Sequence, residues 1–180
     1  MNTLLDVPAP AKINLFLHVT GQRPDGLHAL QTVFVLLDLS DSLDVESRTT
    51  PAISREDVTS SLTDAPLPTD DLCVKAARLL QQATGYTGGA HIRLTKRIPS
   101  QAGLGGGSSD AASCLIALNR LWNTNLDRSD LLQLAGQLGA DVPFFVHGET
   151  AWAQGTGNHL QSIQLPSRSY LVVKPAVGLS

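Results

Sequence analysis

The densest chemical signal in the sequence is the run Pro99-Ser100-Gln101-Ala102-Gly103-Leu104-Gly105-Gly106-Gly107-Ser108-Ser109. Its glycines (Gly103, Gly105, Gly106, Gly107) add nothing to a core and are entropically costly to order. What they allow is close approach of a ligand to backbone N–H groups. Ser108, Ser109 and Asp110 then open a helix whose first N–H groups lack intrahelical partners. An anion placed there meets those donors and the positive end of the helix dipole. The polyphosphate of a nucleotide fits this description. Two familiar phosphate loops are excluded: no Lys follows the glycines as GxxxxGK[ST] requires, and Ser108 stands where GxGxxG counted from Gly103 needs glycine. The loop by itself implies anion binding and names no reaction.

A second pair of polar groups lies near the N-terminus. From Ala11 to Val19 the chain alternates, with Ala11, Ile13, Leu15, Leu17 and Val19 on one face and Lys12, Asn14, Phe16 and His18 on the other. Period two is the mark of a half-buried strand. It sets the Lys12 and Asn14 side chains on the same side, roughly 7 Å apart along the strand.

These groups need elements to hold them. Gln22–Gly26 is rich in turn residues, and Thr32–Leu39 reads as a strand that Leu43–Glu46 extends or pairs with. Thr49–Asp71 reads as loop with at most a short strand. Asp71 is placed to cap a helix running to Gln82, with Leu72, Ala76, Leu79, Leu80 and Ala83 as its buried stripe and Gly85 just past its end. Ala90, Ile92 and Leu94 alternate in a strand that stops at Pro99. The helix after the glycine loop buries Ala111, Cys114, Leu115, Leu118, Leu121 and Trp122. A third helix spans about Arg128–Leu138 and ends at Gly139, and short strands are expected near Thr150–Gln154 and Tyr170–Lys174. Strands and helices are mixed without strict βαβ alternation, which is the pattern of an α+β fold.

Composition narrows the function classes. The 180 residues suit one domain, or one and the start of a second, and 42% hydrophobic content argues against disorder. A net charge of −3 without a Lys/Arg cluster gives no footprint for nucleic acid. No apolar run approaches the roughly 18 residues of a membrane span, and Met1–Leu5 lacks the pattern of a signal peptide. A cytoplasmic location is the expectation. Cys73 and Cys114 read as reduced, buried thiols. His18, His91, His147 and His159 have no metal-ligand spacing.

Three blocks carry a family resemblance: Pro10-Ala11-Lys12-Ile13-Asn14-Leu15, Pro99–Ser109, and Gly139-Ala140-Asp141-Val142-Pro143-Phe144. In this order they resemble the GHMP kinase superfamily. With Asp25-Gly26-Leu27-His28 added, the chain is similar to the branch that phosphorylates a cytidine-diphosphate-linked methylerythritol in the non-mevalonate isoprenoid pathway. The resemblance implies a GHMP kinase N-terminal domain of the ribosomal protein S5 domain 2-like type. It also implies transfer of the γ-phosphoryl group of ATP to the 2-hydroxyl of that small-molecule substrate, with Mg²⁺ held largely by phosphate oxygens and water. Asp141 becomes the base that accepts the hydroxyl proton and Lys12 the cation beside it, while Pro99–Ser109 becomes the ATP loop. Asn14 orients the acceptor chain and His28 contacts the cytosine. Other members act on mevalonate, homoserine or sugars, and a non-catalytic nucleotide-binding fragment is the remaining alternative. Composition leaves the oligomeric state open.

The resemblance also marks two departures. The family has an aromatic residue stacked on cytosine where this chain has Leu27, and base stacking is worth roughly 1–3 kcal/mol. It more often has Asn where this chain has Asp71, in the Asp70-Asp71-Leu72 region expected near adenine. By the same likeness, residues 1–165 form the N-terminal ATP-binding domain and 166–180 begin a C-terminal domain.

Overall fold

The computed structural model describes residues 2–22, 26, 28–59, 68 and 71–174. Its frame is set by two long strands, β1 (Thr3–Gln22) and β2 (His28–Arg48), paired antiparallel along almost their whole length. β1 pairs only with β2, and on such an edge Pro8 and Pro10 break no second ladder. The other edge of β2 is shared. Its C-terminal half pairs with β4 (Gly89–Lys96) and its N-terminal half with β5 (Ala151–Gly155), both antiparallel. β3 (Ile53–Thr59) adds in parallel to β4, and β6 (His159–Ser162) closes the far side against β5.

Among the described residues four helices complete the α+β fold: α1 (Leu72–Thr84), α2 (Gly106–Leu121), α3 (Arg128–Leu138) and α4 (Val142–His147). α2 packs on β1 and β2 and is flanked by α1, α3 and α4. Its stripe Ala111, Cys114, Leu115, Leu118, Leu121 and Trp122 is buried as expected, against Leu43, Val45, Ile92 and Leu94 of the sheet. A smaller cluster of Ala11, Ile98 and Leu104 forms apart from this core. Cys73 and Cys114 are free and buried, with the Cys114 thiol facing the Cys73 carbonyl oxygen at 3.5 Å; burial pushes both thiols up.

Several expectations need correction. Ala11 is buried, but Leu15, Leu17 and Val19 are exposed (43, 52 and 59%). The β1–β2 register shifts between Asn14 and Leu17, so the alternation does not continue across that irregularity. On α1 the buried face is Cys73, Val74, Ala76, Ala77 and Leu80, while Ala83 is exposed. Small residues there let α1 approach α2, a signal that a search for large apolar groups passes over. No strand forms at Tyr170–Lys174, which has no regular structure, and β6 and α4 were not expected. Ile53–Thr59 is a strand inside the stretch read mainly as loop.

Asp71 caps α1 as its spacing predicts, accepting from the Val74 N–H at 3.1 Å. Its carboxylate also meets Arg55 Nη1 at 2.5 Å, tying the start of α1 to β3. Asp71→Ala removes both, and loss of a cap alone costs about 1 kcal/mol. The urea midpoint of the chain should fall accordingly; an unchanged midpoint would mean that the cap and ion pair add nothing to stability.

Candidate active site

The structure brings Lys12 and Asp141 together: Lys12 Nζ lies 3.4 Å from Asp141 Oδ2. Their surroundings explain the geometry. Lys12 sits at a register irregularity between Pro10 and Lys12, and its backbone N–H donates to the Leu104 carbonyl at 2.9 Å. That bond fixes the glycine loop to β1. The ammonium donates to Asn14 Oδ1 at 2.8 Å and lies 5.3 Å from the Phe34 ring centroid. Asn14 in turn donates to Thr32 Oγ1 at 2.7 Å. Lys12 is therefore held at 7% exposure by an aromatic face and an amide, with its cationic tip directed at a carboxylate.

Asp141 occupies the cap position of α4 but makes no capping bond with its side chain. Its carboxylate is 36% exposed, so it keeps lone pairs free for a ligand. Phe144, the third residue of α4, stacks on Phe34 at 4.6 Å and fixes the helix against the sheet.

The glycine loop also meets Lys12. Gly103 and Gly105 have φ of 70° and 72°, where other residues are strained. A Cβ on Gly105 would stand 2.8 Å from the Phe145 ring and 3.1 Å from Lys12 Cγ. Gly105 is thus a point at which the loop closes on Lys12 and Phe145. A Cβ on Gly106 would meet Ile98 at 3.1 Å and Lys96 Nζ at 3.3 Å, whereas one on Gly107 would meet only Leu72, at 3.9 Å. The loop lines a cavity of about 460 Å³ with Asp71, Leu72, Lys75, Lys96 and Asp110 as further walls. Asp71 and Leu72 stand where the adenine region was expected; Asp70 is outside the described residues. A larger hollow of about 530 Å³ between β2 and the 165–172 segment holds none of these groups.

His28 is exposed at the start of β2, opposite Gln22. Six residues separate it from Phe34, the partner of Asn14, which places it roughly 20 Å along the strand pair from Asn14. Asp25 and Leu27 lie outside the described residues, as do residues 175–180. Asn14 is placed beside Lys12 as predicted, with one oxygen contact and one N–H already used by the protein.

Sequence reasoning missed a buried charge cluster beneath the loop. Lys96 Nζ is hydrogen-bonded to Asp41 and, at 2.6 Å, to Asp110. Asp41 also accepts from the backbone N–H groups of Arg97 and Ile98. Phase was the available signal: Lys96 continues the buried face of Ala90, Ile92 and Leu94, where a charge demands a partner. Desolvation opposes the charge on Lys96, and Asp110 and Asp41 outweigh it, so its pKa lies above the usual lysine value.

Residues 71–149 match the GHMP kinases N terminal domain. The chain is 57% identical over 183 aligned residues to 4-diphosphocytidyl-2-C-methyl-D-erythritol kinase of Delftia acidovorans, covering 99% of the chain and 62% of that protein. It is 58% identical to the protein of the same name from Bordetella parapertussis, covering 98% of the chain and 58% of the relative. The chain thus spans about three-fifths of the curated relatives it matches. A crystal structure of 4-(cytidine 5'-diphospho)-2C-methyl-D-erythritol kinase superposes with a TM-score of 0.74 at 43% identity, over 92% of this chain and 56% of that one. A homoserine kinase from Cytophaga hutchinsonii shares the fold alone, at 19% identity and a TM-score of 0.66 over 92% of the chain and 52% of that structure.

Proposed function

Because the chain belongs to the GHMP kinases and carries their N-terminal domain, we propose that it transfers the γ-phosphoryl group of ATP to the 2-hydroxyl of 4-diphosphocytidyl-2-C-methyl-D-erythritol. The observation that carries this reading is the Lys12–Asp141 pair, 3.4 Å apart and touching the glycine loop through Gly105. An alcohol must lose its proton as phosphorus arrives, and Asp141 is the carboxylate free to take it. Lys12 offsets charge on the transferring group. Asn14 and Phe34 hold Lys12 so that its charge is aimed in advance. The N–H groups of the loop and the start of α2 cradle the ATP phosphates.

Magnesium bound to the nucleotide supplies neutralisation of phosphate charge. Among the described residues no three His, Cys, Asp or Glu side chains gather closely enough to hold a metal. The ion would be carried mainly by phosphate oxygens and water. The remaining polar capacity of Asn14 serves the acceptor chain, and His28 offers a donor and an acceptor to the cytosine edge. No described helix is long and apolar enough to cross a membrane, and a cytoplasmic site of action suits the reaction.

Substrate identity is tested by ATP turnover on the protein at its full natural length, with the cytidine-linked methylerythritol beside mevalonate, homoserine and a sugar. The reading predicts a preference of at least 100-fold in kcat/KM for the cytidine-linked acceptor, on the order of the discrimination that lost polar contacts bring. Preference for any of the others would reassign the chain within the superfamily. No turnover with any acceptor, despite nucleotide binding, would leave a nucleotide-binding module.

A further inference from the structure

Three charged groups are packed together under the phosphate loop: Asp41 from β2, Lys96 from β4 and Asp110 from α2, none more than 5% exposed. Two carboxylates face one ammonium, so full ionisation leaves a net charge of −1 directly below an anion-binding cradle. The hydrogen bonds distinguish the two acids. Asp41 is saturated, with one oxygen on Lys96 and the other on two backbone N–H groups. Asp110 uses one oxygen, on Lys96, and its Oδ1 is buried without a hydrogen-bond partner. A bare carboxylate oxygen in that position is costly, and a proton relieves the cost.

We propose that Asp110 is a positioning residue for the nucleotide phosphates, which works as the neutral acid: protonated, it leaves the cluster without net charge and the Lys96 ammonium at the floor of the cradle, and ionised, it repels the polyphosphate. The proposal rests on the nucleotide reading of the loop. Two further observations support it. Lys96 Nζ stands within 3.3 Å of where a Gly106 side chain would begin, so the cluster and the loop are in contact. Burial, against the opposing pull of Lys96 and reinforced by Asp41, pushes the Asp110 carboxyl up to about 8. The other charged groups are Asp71 and Lys75 of α1, which line the cavity, and Lys12 of β1 beside Gly105, while the Cys73 and Cys114 thiols feel the Asp110 charge.

The linkage has a definite sign. An acid whose folded pKa is raised contributes stability that is complete below its unfolded pKa, about 3.8, and is lost as pH rises towards 8. Asp110→Asn mimics the neutral acid at every pH. The stability of this variant relative to the parent, from urea midpoints of the 180-residue chain, should therefore rise between pH 5 and 8 and level off above. A merely structural hydrogen bond would give a difference independent of pH. Nucleotide binding gives the second readout. Titration of ADP should show the dissociation constant of the parent rising about tenfold between pH 7 and pH 9, as expected for binding linked to a proton near pH 8. In Asp110→Asn the dissociation constant should change less than twofold over the same range. A flat stability difference, or equal pH dependence of ADP binding in both proteins, overturns the proposal. Absence of ADP binding at any pH, with the stability titration intact, overturns the nucleotide reading of the loop and the positioning role with it.

Discussion

Asp141→Asn, in the protein at its full natural length, should lower turnover by about 10²–10⁴, the range that a positioned proton acceptor contributes. Nucleotide affinity should change little, because Asp141 is not among the residues that line the glycine-loop cavity. The effect is large because the carboxylate is not committed elsewhere: it makes no capping bond to α4 despite its position there. Asn retains the shape and can still accept a hydrogen bond, but it takes no proton at neutral pH. Stopped turnover with an intact nucleotide titration is the expected result. Turnover within threefold of the parent would remove Asp141 as the base and leave Lys12 to act by charge alone.

Gly105→Val carries the second large effect, since it acts on both halves of the site. The backbone at Gly105 has φ of 72°, where a β-branched side chain is a steric outlier. Its Cβ would also overlap the Phe145 ring at 2.8 Å and press on Lys12 Cγ at 3.1 Å. Relief requires the loop to move off β1, or Lys12 to leave Asn14 and Asp141. ATP affinity should fall tenfold or more, about 1.4 kcal/mol, and turnover should fall further than binding alone explains. Far-UV circular dichroism of the variant should remain native, because Gly105 precedes α2 and lies outside the sheet. Unchanged nucleotide affinity would make the loop a connector. Gly106→Val makes milder contacts, 3.1 Å and 3.3 Å to Ile98 and Lys96, and should lower affinity less than Gly105→Val does.

The comparison of these two glycines shows where sequence reasoning stopped. Glycine density marked the loop correctly, but the reasons differ by position: Gly103 needs its backbone angle, Gly106 needs space, and Gly105 needs both. Only coordinates separate those requirements. The Asp71 cap of α1, the buried stripe of α2 and the bounds of α3 were legible because such signals are local. α4 was not, since six residues give too little periodicity to read. The outer half of β1 was misread because a register shift is a property of two strands, and alternation within one strand contains no trace of it. The Lys12–Asp141 contact joins distant parts of the chain, so spacing alone left Lys12 as a charge at a strand end and Asp141 as a carboxylate after a helix. Resemblance to a known family supplied their roles, and the geometry brought them within 3.4 Å. The Lys96 cluster had no resemblance to reveal it: its three members come from three elements, and the phase of Lys96 on the buried face of β4 was its one local sign.

A ternary crystal structure of the protein at its full natural length, with a non-hydrolysable ATP analogue and 4-diphosphocytidyl-2-C-methyl-D-erythritol, tests the site most directly. The account predicts that the phosphates lie on the N–H groups of the Gly103–Ser109 loop. The acceptor 2-hydroxyl should stand within hydrogen-bond reach of the Asp141 carboxylate, about 2.6–3.2 Å, with Lys12 beside the γ-phosphate. Phosphates bound away from that loop, or a 2-hydroxyl beyond reach of Asp141 in a complex competent for transfer, would contradict it.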